Sequence, residues 1–153
     1  MSRRALLDVN VLVALFDPDH VHYDVAHDWF ADHREAGWAT CPLTENGFVR
    51  VVSQLVRGGE IIRAPELVDR LRTFCGSGHH EFWPDAISLC DERVFNTALV
   101  RGHKQLTDIY LLGLAVKRGG YLVTFDAHVP LGAAKGARRE SLVVISADKE
   151  GTA

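Results

Sequence analysis

The chain has 153 residues, 47% hydrophobic and 24% charged, with 17 Lys and Arg against 20 Asp and Glu for a formal charge of −3. These values fit one folded domain with its own core and exclude both wholesale disorder and a disulfide-stapled miniature. The mild acidity also stands against a nucleic-acid binder of the usual basic kind, whose affinity comes from Lys and Arg on phosphates.

Met1 to Arg4 followed by Ala5 to Phe16 has the outline of a secretory leader. Asp8 and Asn10 interrupt its apolar run and no small-residue cleavage site follows, so it reads as a core strand and helix. His22 to Arg34 predicts a helix with Val25, Ala26, Trp29, Phe30 and His33 on one face and Asp24, Asp28 and Asp32 solvated on another. Trp38 to Cys41 is a weak strand candidate. Phe48, Val52 and Leu55 form a helical stripe that Gly58 and Gly59 should end. Pro65 opens a helix lined by Leu67, Leu71 and Phe74 and closed by Gly76. Glu81 to Trp83 is another weak strand, and Pro84 begins a predicted helix running towards Leu99.

Leu106 to Arg118 gives the clearest helix, with Thr107 or Asp108 as its cap, Ile109, Leu112 and Val116 inward and Gly119 as terminator. Tyr121 to Asp126 and Leu142 to Ile145 are, like Ala5 to Val9, unbroken apolar runs of the kind found in strands covered on both faces. Residues 131–141 read as a loop. Strands alternating with helices predict an α/β fold, a three-layer α/β/α sandwich with a mostly parallel central sheet, over residues 1–146, and a short tail at 147–153.

In such a sheet, ligands bind beyond the carboxyl ends of the strands. Asp8 and Asp126 sit at strand ends, and Glu45 joins them on that rim if its helix follows directly from the second strand. Asp108 is not placed there by spacing, because no obvious strand precedes its helix. Carboxylates converging at short range repel unless a cation lies between them. Oxygen-only donors favour hard cations, so a cluster of this kind points to Mg²⁺ or Mn²⁺ acting on a phosphoester.

Four blocks carry a family resemblance: Leu7-Asp8-Val9-Asn10-Val11-Leu12, Leu43-Thr44-Glu45-Asn46-Gly47-Phe48, Thr107-Asp108-Ile109-Tyr110 with the apolar run behind it, and Leu122-Val123-Thr124-Phe125-Asp126. In order and spacing they resemble the PIN-domain ribonucleases, most closely the VapC-type toxins of toxin–antitoxin pairs, over residues 5 to about 145. The resemblance implies Asp8, Glu45, Asp108 and Asp126 as a catalytic, metal-holding quartet, with Asn10, Thr44 and Thr124 in support. It implies Mg²⁺-dependent endoribonuclease activity, with tRNA among typical targets and 5′-phosphate and 3′-hydroxyl ends. It also implies a homodimer neutralised by a small VapB-like antitoxin. Where the family often has a basic or aromatic residue behind the last acid, this chain has Ala127-His128-Val129-Pro130, which leaves His128 as the phosphate-facing candidate.

Further candidates for RNA contact are Arg101 and Lys104 before Asp108, Lys135, Arg138 and Arg139 after Asp126, and Arg50 and Arg57, assigned with Glu45 to one helix. Other readings remain: an RNA-processing nuclease of the same fold, a non-catalytic RNA-binding module, or a phosphotransfer domain, which Asn10 in place of a second Asp opposes. Eight histidines are many for this length, but His20, His22 and His27, or His79 and His80 near Cys75, match no standard zinc spacing and read as solvated. Cys41, Cys75 and Cys90 form no Cys-x-x-Cys pair, so free thiols and a cytoplasmic location are expected, and no stretch approaches the roughly 20 apolar residues of a membrane span.

Overall fold

The computed structural model describes residues 3–146; the tail assigned to 147–153 lies outside them. The elements run β1 (Ala5–Leu7), α1 (Val9–Phe16), α2 (Tyr23–His33), β2 (Trp38–Thr40), α3 (Pro42–Val52), β3 (Val56–Arg57), β4 (Glu60–Ile61), α4 (Ala64–Cys75), β5 (His80–Phe82), α5 (Leu106–Lys117), β6 (Tyr121–Thr124) and β7 (Leu142–Val144). β5, β2, β1, β6 and β7 form one sheet in that order, every neighbouring pair parallel. The chain starts at the central strand, builds outward to one side, then returns to build the other, so strand order reverses beside β1.

β1, β2 and β6, at the middle of the sheet, are apolar except for the Thr that ends β2 and β6, because both their faces are covered. Ala5, Leu7, Trp38 and Val123 face α1 to α4, packing with Phe30, Phe48, Leu67 and Leu71. Leu6, Ala39 and Leu122 face α5 and the segments beside it, with Trp83, Phe95, Val129 and Ala133. α5 is apolar nearly all round, as its buried run from Leu111 to Ala115 requires.

Several elements differ from expectation for identifiable reasons. The Phe48 stripe stops at Val52, and Gly58 and Gly59, at φ +60° and +79°, turn a two-stranded hairpin instead of ending a helix. Arg57 therefore lies on β3, away from the helix of Glu45. His33 is exposed, and its ring bonds the Trp29 carbonyl.

The helix expected from Pro84 towards Leu99 does not form; only a single 3₁₀ turn at Thr97–Leu99 does. Ser88 and Asp91 turn the chain by bonding the amides of Cys90 and Arg93, which competes with helical bonding. Phe95 then packs where Gly113 leaves room and bridges to Ala134. That bridge also explains 131–141: a single-turn 3₁₀ segment ending in the buried Ala133, the buried Ala134, a sharp turn and a second 3₁₀ segment succeed one another, so the stretch is anchored. Asp108 sits inside the first turn of α5, after the capping position held by Gln105.

Asp17, buried where α1 ends, takes a 2.6 Å ion pair from Arg57 that ties the hairpin to the helical layer. The guanidinium's hydrogen bonds hold the Asp17 carboxyl below the ordinary range.

Two outcomes follow for stability. A Cβ on Gly113 would stand 2.5 Å from the buried Phe95 ring, so Gly113→Ala should cost about 1–3 kcal/mol in urea unfolding. Because folding lowers the Asp17 pKa, its contribution is complete above the usual Asp range and is lost as pH falls through the lowered value. Asp17→Asn should therefore lower the urea midpoint at neutral pH and flatten the acid limb of its pH profile.

Candidate active site

Parallel pairing puts the C-terminal ends of β1, β2 and β6 on one rim, where the following helices begin. Asp8 leaves β1 and caps α1, its Oδ1 accepting the Val9 amide at 2.7 Å. The carboxylate is buried, and Oδ2 accepts the Thr124 hydroxyl from the end of β6 at 2.8 Å. The same hydroxyl accepts the Asp126 amide at 3.1 Å, so one Thr side chain sets two acids. Asp126 in turn accepts the His128 amide at 2.8 Å. Asp108, from the first turn of α5, faces both carboxylates closely enough to share a proton with either.

Burial and mutual repulsion govern this trio. Asp108 is pushed up to about 7, first by desolvation and then by the charges of Asp8 and Asp126. Burial also raises Asp8, against the bonds from Thr124 and Val9. Three carboxylates brought together with only oxygen donors fit the requirements of a hard divalent cation.

Glu45 sits in the first turn of α3 but turns to the β2 side, where its Oε2 accepts the buried Thr40 hydroxyl at 2.7 Å. Its polar neighbours there are Thr40, Cys75 and His80, whereas Asp8, Asp108 and Asp126 act on one another. Thr44 is fully buried and spans the start of α3, its hydroxyl accepting the Cys41 amide at 2.9 Å. Asn10 is exposed in the first turn of α1, beside Asp8.

Thr40 escapes a reading of the sequence, and His80 reads there as a solvated histidine. The usable signal was the Thr ending an apolar strand: Thr40 ends β2 as Thr124 ends β6, and each donates to an acid. His80 is half-buried against Trp38 and held at 2.8 Å from the Thr40 hydroxyl, so it is no solvated surface histidine.

The basic candidates divide between the two ends of the sheet. Arg101, Lys104 and His128 are exposed on the acidic rim, joined by Gln105, whose side chain takes the Arg101 amide and donates to the His128 carbonyl. Arg138 shares a concavity with Arg3, Gly119 and Gly120 at the strands' N-terminal ends, and Arg139 lies in the turn leading into β7. Lys135 lies beside Val116 and Lys117, at the far end of α5 from Asp108. Arg50 is exposed on α3, while Arg57 is committed to Asp17.

No family model matches the chain. Ribonuclease VapC44 of Mycobacterium tuberculosis H37Rv is 44% identical over 142 residues, 93% of this chain and 99% of the relative. The chain belongs to the VapC ribonuclease family. From the same organism, Ribonuclease VapC39 is 40% identical over 86% of the chain and 95% of its own length, and Ribonuclease VapC38 is 46% identical over 82% and 86%. Membership agrees with the parallel α/β architecture of this VapC ribonuclease, and no helix among its described residues is long and apolar enough to cross a membrane.

The trio has a signature measurable without substrate. Folding raises the Asp108 pKa, so its ionisation destabilises the folded state progressively from the ordinary Asp range up to about pH 7. In EDTA at pH 8, Asp108→Asn should raise stability by on the order of 2–4 kcal/mol, with no such gain at pH 4.

Proposed function

We propose that this chain is the toxin of a type II toxin–antitoxin pair and hydrolyses RNA phosphodiester bonds with Mg²⁺, or Mn²⁺ in its place. Asp8, Asp108 and Asp126 would hold the cation, with Glu45 completing the acidic set by turning from Thr40. The convergence of three carboxylates at the strand-order reversal, with Asp108 raised to about 7, carries this reading. A bound divalent ion supplies a water of lowered pKa and neutralises charge on the phosphate as it is attacked.

The protein's own part is positioning. Thr124 fixes the Asp8 carboxylate and the Asp126 backbone together, so the rim does not rearrange when the phosphate arrives. Arg101 and Lys104, exposed beside His128, face the approaching RNA backbone and orient it. A small VapB-like antitoxin and a second copy of this chain are the proposed partners, supported by family membership. A cytoplasmic site of action accords with three free cysteines.

Cleavage of tRNA by purified protein, followed with Mg²⁺ and with EDTA, tests the chemistry. Asp8→Asn and Asp126→Asn should each slow cleavage at least as much as the roughly 10–100-fold that outer-shell changes cost a metal site. Equal cleavage by wild type, variants and EDTA-treated protein would overturn the mechanism.

A further inference from the structure

Glu45, the Cys75 that ends α4 and the His80 that opens β5 each bring a ligand atom within 4.8 Å of the other two. All three are half-buried. The Thr40 hydroxyl sits among them, 2.7 Å from Glu45 Oε2 and 2.8 Å from His80 Nε2, with the Cys75 thiol also against it. Thr40 spends its single hydrogen on the carboxylate, so His80 meets it with Nε2–H, and the neutral ring offers Nε2 to a cation once its proton moves to Nδ1. Trp38, fully buried, packs its ring 4.6 Å from His80 and 4.5 Å from Phe74, the residue before Cys75. One indole thus places both the imidazole and the end of the helix that carries the thiol.

We propose that Glu45, Cys75 and His80 form a second cation site, chemically distinct from the aspartate trio and selective for Zn²⁺. A carboxylate, a thiolate and an imidazole are the donors Zn²⁺ takes, at bonds of about 2.0–2.3 Å, whereas Mg²⁺ avoids sulfur. Tetrahedral bonds of that length set donors about 3.3–3.8 Å apart, within reach by side-chain rotation. On binding, the Cys75 S–H bond breaks, an S–Zn bond forms and the proton leaves to solvent, while His80 stays neutral. With one thiolate and one carboxylate the dipositive ion is neutralised, and the fourth position stays open. An ion here also commits Glu45 to the β2–β5 side of the rim. That consequence rests on the catalytic part proposed for Glu45; the binding itself does not.

Zn²⁺ titrated calorimetrically into the reduced protein, with Co²⁺ absorption as a second readout, tests the site independently of RNA cleavage. With the aspartate trio saturated by excess Mg²⁺, wild type and Asp8→Asn should bind Zn²⁺ at a single site and show a thiolate-to-Co²⁺ charge-transfer band. Cys75→Ser and His80→Gln, each checked for folding by circular dichroism, should bind Zn²⁺ about 10–100-fold more weakly or worse, and Cys75→Ser should lose the band. Cys90→Ser should retain both. Absence of the band in wild type, undiminished binding by folded Cys75→Ser and His80→Gln, or loss of binding in Asp8→Asn would each overturn the proposal.

Discussion

The bond from the Thr124 hydroxyl to Asp8 spans the central strand pair, and the active rim is organised around it. It requires the β1–β6 register that sets Leu7 beside Val123, because a slip by one residue would turn Thr124 to the other face of the sheet. It also makes burial of Asp8 tolerable, since a buried carboxylate without donors is costly. Once Asp8 is fixed, α1 has its cap, Asp126 has its backbone anchor and the space facing α5 is defined. Asp108 enters that space because α5 runs antiparallel to the strands, with its first turn at their carboxyl ends.

Two buried aspartates separated by one short helix show how environment divides their roles. Asp17 meets a guanidinium and is held low; Asp8 is raised, first by burial and then by the charge of Asp126. The first is a finished ion pair that fastens the hairpin. The second is an unbalanced charge cluster, the usual mark of a functional site. The net charge of −3 conceals this: with Asp8, Glu45, Asp108 and Asp126 set aside, 17 basic residues face 16 acidic ones. Acidity that argues against a nucleic-acid partner in the composition is concentrated where a cation would reverse it.

The doubly covered strands are legible because burial on both faces writes itself as an unbroken apolar run, as in Leu122-Val123. Asp8 and Asp126 follow from such runs, since a strand end in a parallel sheet is already a position on the rim. Asp108 does not, because the segment before α5 is irregular and only block order ties it to the others. The stretch after Pro84 misleads for a physical reason: Ser88 and Asp91 supply turn chemistry, and Phe95 finds its partner 18 residues on, at a glycine. Of the gathering of Glu45, Cys75 and His80, the sequence shows only that the last two lie close together, at a spacing that matches no standard zinc site. The gathering arises from β2 pairing with β5 while α4 brings its last residue beside Glu45 and His80.

The split of the basic residues between the two ends of the sheet bears on recognition. Lys135, Arg138 and Arg139 lie away from the acids, which leaves Arg101 and Lys104, of the basic candidates among the described residues, as the cations beside them. The logarithmic dependence of nucleic-acid affinity on salt scales with the number of phosphates neutralised, so on the proposed reading this rim holds RNA with a shallow salt slope. An enzyme that grips so little backbone gains little from long, featureless RNA. Its choice of target then falls to the shape of a loop or bulge that can bring one phosphodiester down to a narrow acidic notch.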